Sequence, residues 1–392
     1  MRRKKMEEKT ANMAENIRVT FTGFHYIKDD DYPNDFEVYL LILKDNSLSA
    51  GCWDTGLYAT EGGKQPGAFR QARGCFIDAD YVKAWTKLED KVYNFQQNSI
   101  VWLGYERRIV MDRRSNNIAI FQDSMDLIKA NQKLQQAVQF SIQNQKLYVP
   151  SQAIALPEPG KSSCKTIVSS KRSFEAASAY AKAGKRVCVL NFASATNPGG
   201  GVTRGSTAQE ECLCRCSTLY PCLDTETMWH QFYQPHRKAG DPLYNDDLLY
   251  TPEVVVFKTD IAALERMEEK DWYQVDIITC AAPNLRKKPS NAMNPSAGNA
   301  PVKISEKALY ELQMQRLERV FQAAASNGAE VLILGAFGCG AFCNPPRIVA
   351  RVFRSVQEKY ASYFETIEYA VFCGKNDTLN YDTFNQALGG RK

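Results

Sequence analysis

The chain predicts an α/β protein: a three-layer α/β/α arrangement on a mixed or mostly parallel sheet, preceded by a small β-rich N-terminal domain. Three observations carry this. Short, continuous Val/Ile/Leu runs recur through the C-terminal part of the chain; strands that apolar on successive residues are buried on both faces, which requires helices on both sides of the sheet. Segments with helical apolar spacing separate those runs. Residues 1–112 instead show alternating patterns punctuated by turn residues, as short antiparallel strands do.

In the N-terminal part, Ile17–Phe24 alternates, and Phe36–Leu43 and Ser47–Trp53 flank the hairpin signal Lys44-Asp45-Asn46. A loop containing Gly62, Gly63, Pro66 and Gly67 follows, and then a strand candidate Val82–Leu88 carrying Trp85 as a packing residue. This reads as a β-rich accessory domain without an evident chemical role. From residue 113 to 392 the pattern changes. Ile118–Gln136 has helical period, and Val138–Val149 reads as a hairpin around Gln143-Asn144-Gln145. The strand candidates are Thr166–Val168, Arg186–Asn191, Val254–Phe257, Val275–Ala281, Val331–Gly335 and Ile367–Cys373. Helices are expected at Phe174–Ala183, Glu211–Leu219, Ser305–Ser326 and Pro346–Lys359. Asn284–Val302, rich in Pro, Asn, Ser and Ala, is a surface loop or lid candidate.

Composition narrows the function classes. The 392 residues are 44% hydrophobic and 24% charged, ordinary for a globular protein. No apolar run is long enough to span a bilayer, so no membrane partner is expected. MRRKKMEEKT starts basic but no apolar stretch follows it, so it does not read as a secretory signal. A net charge of +5 without a dense basic stripe suits an anionic ligand and gives no ground for direct nucleic-acid binding. Twelve cysteines without such a signal point to a reducing, cytoplasmic setting. Cys212, Cys214, Cys216 and Cys222 contain no CxxC pair, and on a helix Cys214 points away from Cys212 and Cys216, so packing thiols are expected rather than a zinc site.

Two glycine loops carry the chemistry. The strand Arg186–Asn191 runs into Gly199-Gly200-Gly201, a short loop, and then Gln209-Glu210-Glu211 at a helix start. Three glycines let a backbone approach a ligand closely, although a tight turn alone would also use them. Ser206 with Gln209, or Thr207 with Glu210, fits a capping box, so the acidic pair has an ordinary explanation too. Two adjacent carboxylates beside an anion-accepting loop are, however, what glycosidic cleavage needs: one protonated to release the leaving oxygen, one to orient the sugar. A helix N-terminus lowers a carboxyl pKa, so burial, the neighbouring carboxylate and substrate phosphates must raise it again. The second loop follows Val331–Gly335 as Ala336-Phe337-Gly338-Cys339-Gly340-Ala341-Phe342, with Asn344 as a natural N-cap and Pro345-Pro346 opening a helix. Strand, glycine loop and helix start together suit an anion site, although a structural turn alone would account for the motif equally well.

The string NFASATNPGGGVTRGSTAQEECLCRCSTLYPCL resembles bacterial-type poly(ADP-ribose) glycohydrolases, whose signature is a triple glycine, a short loop and Gln-Glu-Glu. GAFGCGAF resembles the diphosphate loop of a macrodomain, and Ile277–Leu285 resembles the strand and loop beside the adenosine, with Asn284 a candidate there. The resemblance covers residues 113–392 and implies a macrodomain-like catalytic domain. It implies Glu211 as the catalytic acid and Glu210 as the holder of the ribose hydroxyls on the leaving side. Asn197, Gly199, Gly200, Gly201, Val202, Thr203 and Gln209 would embrace the ADP-ribose. Gly338, Cys339, Gly340, Ala341 and Phe342 would take the diphosphate and the terminal ribose. Animal members carry an Asn where this chain has Ala195, leaving Asn197 or Asn191 to supply that contact. The implied reaction is hydrolysis of the ribose–ribose bond of poly(ADP-ribose) from chain termini, with ADP-ribose as product and neither metal nor cofactor. The glycine loops also suit a reader that binds ADP-ribose without cleaving it, and nothing excludes another ADP-ribosyl linkage; the glutamate pair favours the enzyme.

Overall fold

The computed structural model describes residues 113–389 apart from 161–162, 262–263, 292–293 and 375–376, together with the backbone of five N-terminal strands. The chain divides into two compact units, 1–112 and 113–392. In the first unit β1 (Val38–Leu43), β2 (Leu48–Asp54), β3 (Ala68–Arg70), β4 (Phe76–Asp78) and β5 (Val82–Lys87) form an antiparallel sheet of order β4-β3-β2-β1-β5. The consecutive strands β1 and β2 pair from Val38 with Cys52 to Ile42 with Leu48. The segment Ile17–Phe24, the loop with Gly62, Gly63, Pro66 and Gly67, and the Trp85 side chain lie outside the described residues.

The second unit is built on a seven-stranded mixed sheet of β6 (Lys146–Tyr148), β7 (Lys165–Ser169), β8 (Val187–Phe192), β9 (Leu248–Val256), β10 (Tyr273–Cys280), β11 (Val331–Leu334) and β12 (Thr366–Ala370), in the order β6-β9-β10-β8-β11-β12-β7. β10, β8, β11, β12 and β7 run parallel, and β9 is antiparallel to both β10 and β6. The alternation along the strands explains the layers. On one face Cys188, Leu190, Ile278, Leu332 and Ile367 pack with residues of α8 (Glu306–Ser326), α9 (Pro346–Tyr360) and α10 (Leu379–Leu388). On the other, Val187, Val189, Val275, Ile277 and Ile333 meet α1 (Arg113–Ala130), α3 (Ser173–Lys182), α4 (Gln209–Cys216) and α5 (Leu219–Leu223). Each such aliphatic side chain contributes roughly 1.5–3 kcal/mol by leaving water.

Several local expectations are corrected. The helix expected over Ile118–Gln136 is two helices, because the Asn131 side chain accepts from the N–H groups of Lys133 and Leu134 and starts α2 (Gln132–Gln143) afresh. The hairpin expected over Val138–Val149 is therefore absent: Leu134, Val138 and Ser141 are buried at helical spacing, and only Lys146–Tyr148 is strand. A helical stretch passing through α6 (Glu226–Met228), a wide turn Trp229–Tyr233 and α7 (Gln234–Ala239) was not anticipated. None of the described helices is long and apolar enough to cross a membrane.

Candidate active site

Parallel β10, β8 and β11 are neighbours, so the loops leaving their C-terminal ends emerge side by side, where ligands of α/β sheets bind. The glycine loop and glutamates follow β8, the second glycine loop follows β11, and the segment from Ala281 follows β10. Cross-links join the last two: the Asn344 amide donates to Pro283 O at 2.7 Å and Leu285 N to Phe342 O at 2.9 Å. At the opposite end of the sheet, a cavity of about 680 Å³ is lined by residues including Lys185, Arg186, Asp276 and Glu330, remote in the fold from the glutamates.

The glutamates are not explained by helix capping. Ala208 occupies the cap position with no side-chain bond, so both capping boxes considered from the sequence are absent. Instead the carboxylates turn back onto the loop. Gly201 N–H donates to Glu211 Oε1 at 2.8 Å, and Ser194 N–H donates to Glu210 Oε2 at 2.8 Å. Asn191 approaches Glu210 Oε1 at 3.4 Å and is itself joined to Thr279 Oγ1 at 3.2 Å. The two carboxylates converge on Gly200, whose φ is +59°. A Cβ there would stand 2.5 Å from Glu211 Oε1 and 3.0 Å from Glu210 Oε2, so only glycine fits.

Glu210 is 3% and Glu211 7% exposed. Burial first, and then the Glu211 charge, push the Glu210 carboxyl well above the usual carboxylate range, against the opposing bonds from Ser194 and Asn191. Glu211 Oε2 is buried with no hydrogen-bond partner. A buried polar atom left without a partner is costly and calls for an explanation, a catalytic role being one of several.

Gln209, expected to touch substrate, is turned into the scaffold: its oxygen accepts from Phe192 N at 2.8 Å, and its nitrogen donates to Leu190 O at 2.8 Å and Ser173 Oγ at 3.0 Å. It pins the start of α4 to the end of β8. Asn197 likewise serves the loop, donating to Gly200 O while accepting from Arg237 at 3.2 Å. Asn191 is fully buried under Glu210. Val202 sends its side chain into the core, whereas Thr203 is exposed. In the second loop Cys339 is partly buried, Gly340 and Ala341 are exposed, and Phe342 is half-buried. Asn344 is not the helix cap expected; Pro345 stands there, and the Asn344 side chain holds Pro283 O and Gly338 O while accepting from Gln313 at 2.9 Å.

Some residues at the site carried no sequence signal. Tyr244 and Arg286 lie against Phe342, with Tyr244 ring-to-ring at 6.2 Å and the Arg286 guanidinium 5.8 Å from the ring centre. Arg286 is steadied by Asn284 Oδ1 at 3.0 Å. Arg237, stacked on Trp229, donates to Thr196 O at 2.6 Å. Cys212, Cys214, Cys216 and Cys222 are buried, and among the described residues no group of three or more His, Cys, Asp or Glu could hold a metal.

Residues 117–259 match the microbial-type PARG catalytic domain family. A poly(ADP-ribose) glycohydrolase from Thermomonospora curvata, solved with the inhibitor ADP-HPD, is 30% identical, with a TM-score of 0.59 over 70% of this chain and 100% of its own. The Deinococcus radiodurans enzyme, solved with ADP-ribose, is 32% identical, with a TM-score of 0.53 over 64% of this chain and 96% of its own. The chain belongs to the microbial-type poly(ADP-ribose) glycohydrolase family. No curated protein matches it. The matched region runs from within α1 through the first residues beyond β9, so it includes the whole glycine loop and both glutamates.

Proposed function

We propose that this glycoside hydrolase cleaves the ribose–ribose O-glycosidic bonds of poly(ADP-ribose) with Glu211 as acid and base, and Glu210 as its partner. The observation that carries the assignment is the buried pair on Gly200, with Glu211 Oε2 unpartnered. Burial and the neighbouring charge raise the Glu210 carboxyl, Glu211 lies in the same enclosure, and its Oε2 is the oxygen without a partner and so placed to pass a proton. The proton passes to the leaving ribose oxygen as the glycosidic bond breaks, leaving an oxocarbenium ion on the ADP-ribose side. Glu211 then takes a proton from the attacking water, which restores the starting state. A module that only bound ADP-ribose would gain nothing from burying two carboxyl groups side by side.

Glu210 keeps its two scaffold bonds on separate oxygens, and each carboxylate oxygen accepts more than one hydrogen bond; that capacity supports its orienting a ribose hydroxyl. Backbone N–H groups between Gly338 and Phe342, other than that of Cys339, which donates to Ala336 O at 3.0 Å, supply the diphosphate site. Phe342, bracketed by Tyr244 and Arg286, supplies an aromatic face for the terminal ribose. The segment after β10 completes the adenosine side, with the buried Asn284 side chain bracing it through Pro289 O and Arg286. We place the activity in the cytoplasm, a setting supported by free thiols at every described cysteine. We read the attack as terminal, and residues 1–112 as an accessory domain separate from the catalytic unit.

The test is digestion of end-labelled polymer by the purified chain. Release of monomeric ADP-ribose from the earliest times is expected. Retention of polymer without release would make the protein a reader, and early oligomeric products would replace terminal by internal attack.

A further inference from the structure

The loop that presents Gly201 to Glu211 is held from behind by the first helix of the catalytic unit. The Asn117 amide on α1, itself buried, donates to Gly205 O at 3.0 Å. Gly205 closes the short turn Val202–Arg204 at φ +72°, and a Cβ there would stand 2.8 Å from the carbonyl carbon of Arg114, so helix and loop touch backbone to backbone. Within the turn, Arg204 N and Ser206 N both donate to Gly201 O, at 3.0 and 3.1 Å. Those bonds orient the Gly201 residue whose own N–H holds Glu211 Oε1. From the other side Arg215, on the same helix as Glu211, donates to Ser206 O at 2.6 Å, and its backbone carbonyl accepts from Ser124 of α1 at 2.6 Å. Phe121 packs edge-on against Tyr220 at 4.9 Å, and Tyr220 lies directly against Gly199.

We propose that Asn117 is a positioning residue for the glycosidase reaction: through Gly205 it fixes the turn that sets the Glu211 carboxylate, without touching substrate. The inference rests on the assignment of Glu211 as the acid. A buried carbonyl stripped of its donor moves to find another, and a displacement near 1 Å at a reacting group costs on the order of a hundred-fold in rate. The diphosphate loop after β11 has no share in this junction, so binding of ADP-ribose and turnover should separate.

The experiment compares the full chain with Asn117→Ala, Asn117→Asp and, as a stability control, Ile128→Ala. Ile128 sits on the same helix but packs with Leu134 and Val138 in a separate cluster. Asn117→Asp keeps the volume and removes the donor, so one variant of the pair remains informative where the other fails to fold. The expected result is a kcat on polymer reduced about ten- to hundred-fold in both Asn117 variants, with KM and ADP-ribose Kd within about two-fold of wild type. Ile128→Ala should lower Tm while leaving kcat unchanged. Unchanged kcat in the Asn117 variants, or a matching loss in Ile128→Ala, would overturn the proposal while leaving the Glu211 assignment intact; an inactive wild type would instead remove that assignment.

Discussion

The two glycine loops look alike in sequence and are built in opposite ways. The first, after β8, is tied inward at nearly every residue: Arg237 holds Thr196 O, Asn197 holds Gly200 O, Gly201 holds Glu211, and Asn117 holds Gly205 O. The second, after β11, leaves Gly340 and Ala341 exposed, puts the non-glycine Cys343 at φ +59°, and hangs largely on the Asn344 side chain. Reaction needs a carboxylate held in one place, and an anion site needs backbone N–H groups left open to the ligand. The difference supports the proposed division, with chemistry on the first loop and binding on the second, which the glycines alone could not suggest.

That contrast can be broken most forcefully at Asn344. Replacing it with Ala strands Pro283 O and the Gln313 amide and leaves Gly338 O only its bond from the backbone N–H of residue 344; a buried group that loses its partner costs about 1–3 kcal/mol. Both Tm and ADP-ribose affinity should fall, the latter roughly ten-fold or more by that same range, while kcat at saturation changes little. Calorimetry and saturation kinetics check this; a loss confined to kcat would erase the division between the loops.

A smaller effect sharpens the other side. Because burial and Glu211 raise the Glu210 carboxyl above its unfolded value, the folded chain holds that proton more tightly. Ionising Glu210 therefore costs folded stability as pH rises through and above the ordinary value of 4.5. Glu210→Gln removes the cost. Its Tm should match wild type near pH 4 and exceed it by a few degrees at pH 8, at about 2–4 °C per kcal/mol for a domain of this size. An advantage equal at both pH values would show that the pair is not electrostatically strained.

Much of this was legible in the sequence, for physical reasons that differ by residue. Strands such as Val187–Phe192 and Val331–Leu334 announce themselves because burial on both faces leaves almost no polar positions, Asn191 excepted, to blur the run. Ala68–Arg70 and Phe76–Asp78 are three residues each, too short for any alternation to register. Gln143-Asn144-Gln145 imitates a hairpin turn, while the Leu134–Val138–Ser141 spacing that decides for helix is diluted by glutamines. At the site, the glutamate pair was visible through its setting between triple glycine and helix. The direction of its carboxylates was not, since Ser206 and Thr207 were equally plausible caps, and long-range bonds to Gly201 and Ser194 decided the matter. Asn117, 88 residues before its partner Gly205, has no local signal at all; Asn191, a lone amide at the end of an apolar strand, had one.

The central claim, that the first loop exists to place Glu211, is tested most directly by Glu211→Gln on one preparation measured twice, for ADP-ribose Kd and for release from polymer. Gln keeps an oxygen for Gly201 N–H and cannot deliver or take the proton. Kd is expected to stay within about three-fold, while release falls by about a hundred- to ten-thousand-fold, the usual worth of a positioned acid–base group. Undiminished release, or a loss of binding that accounts for the whole fall in turnover, would contradict the claim.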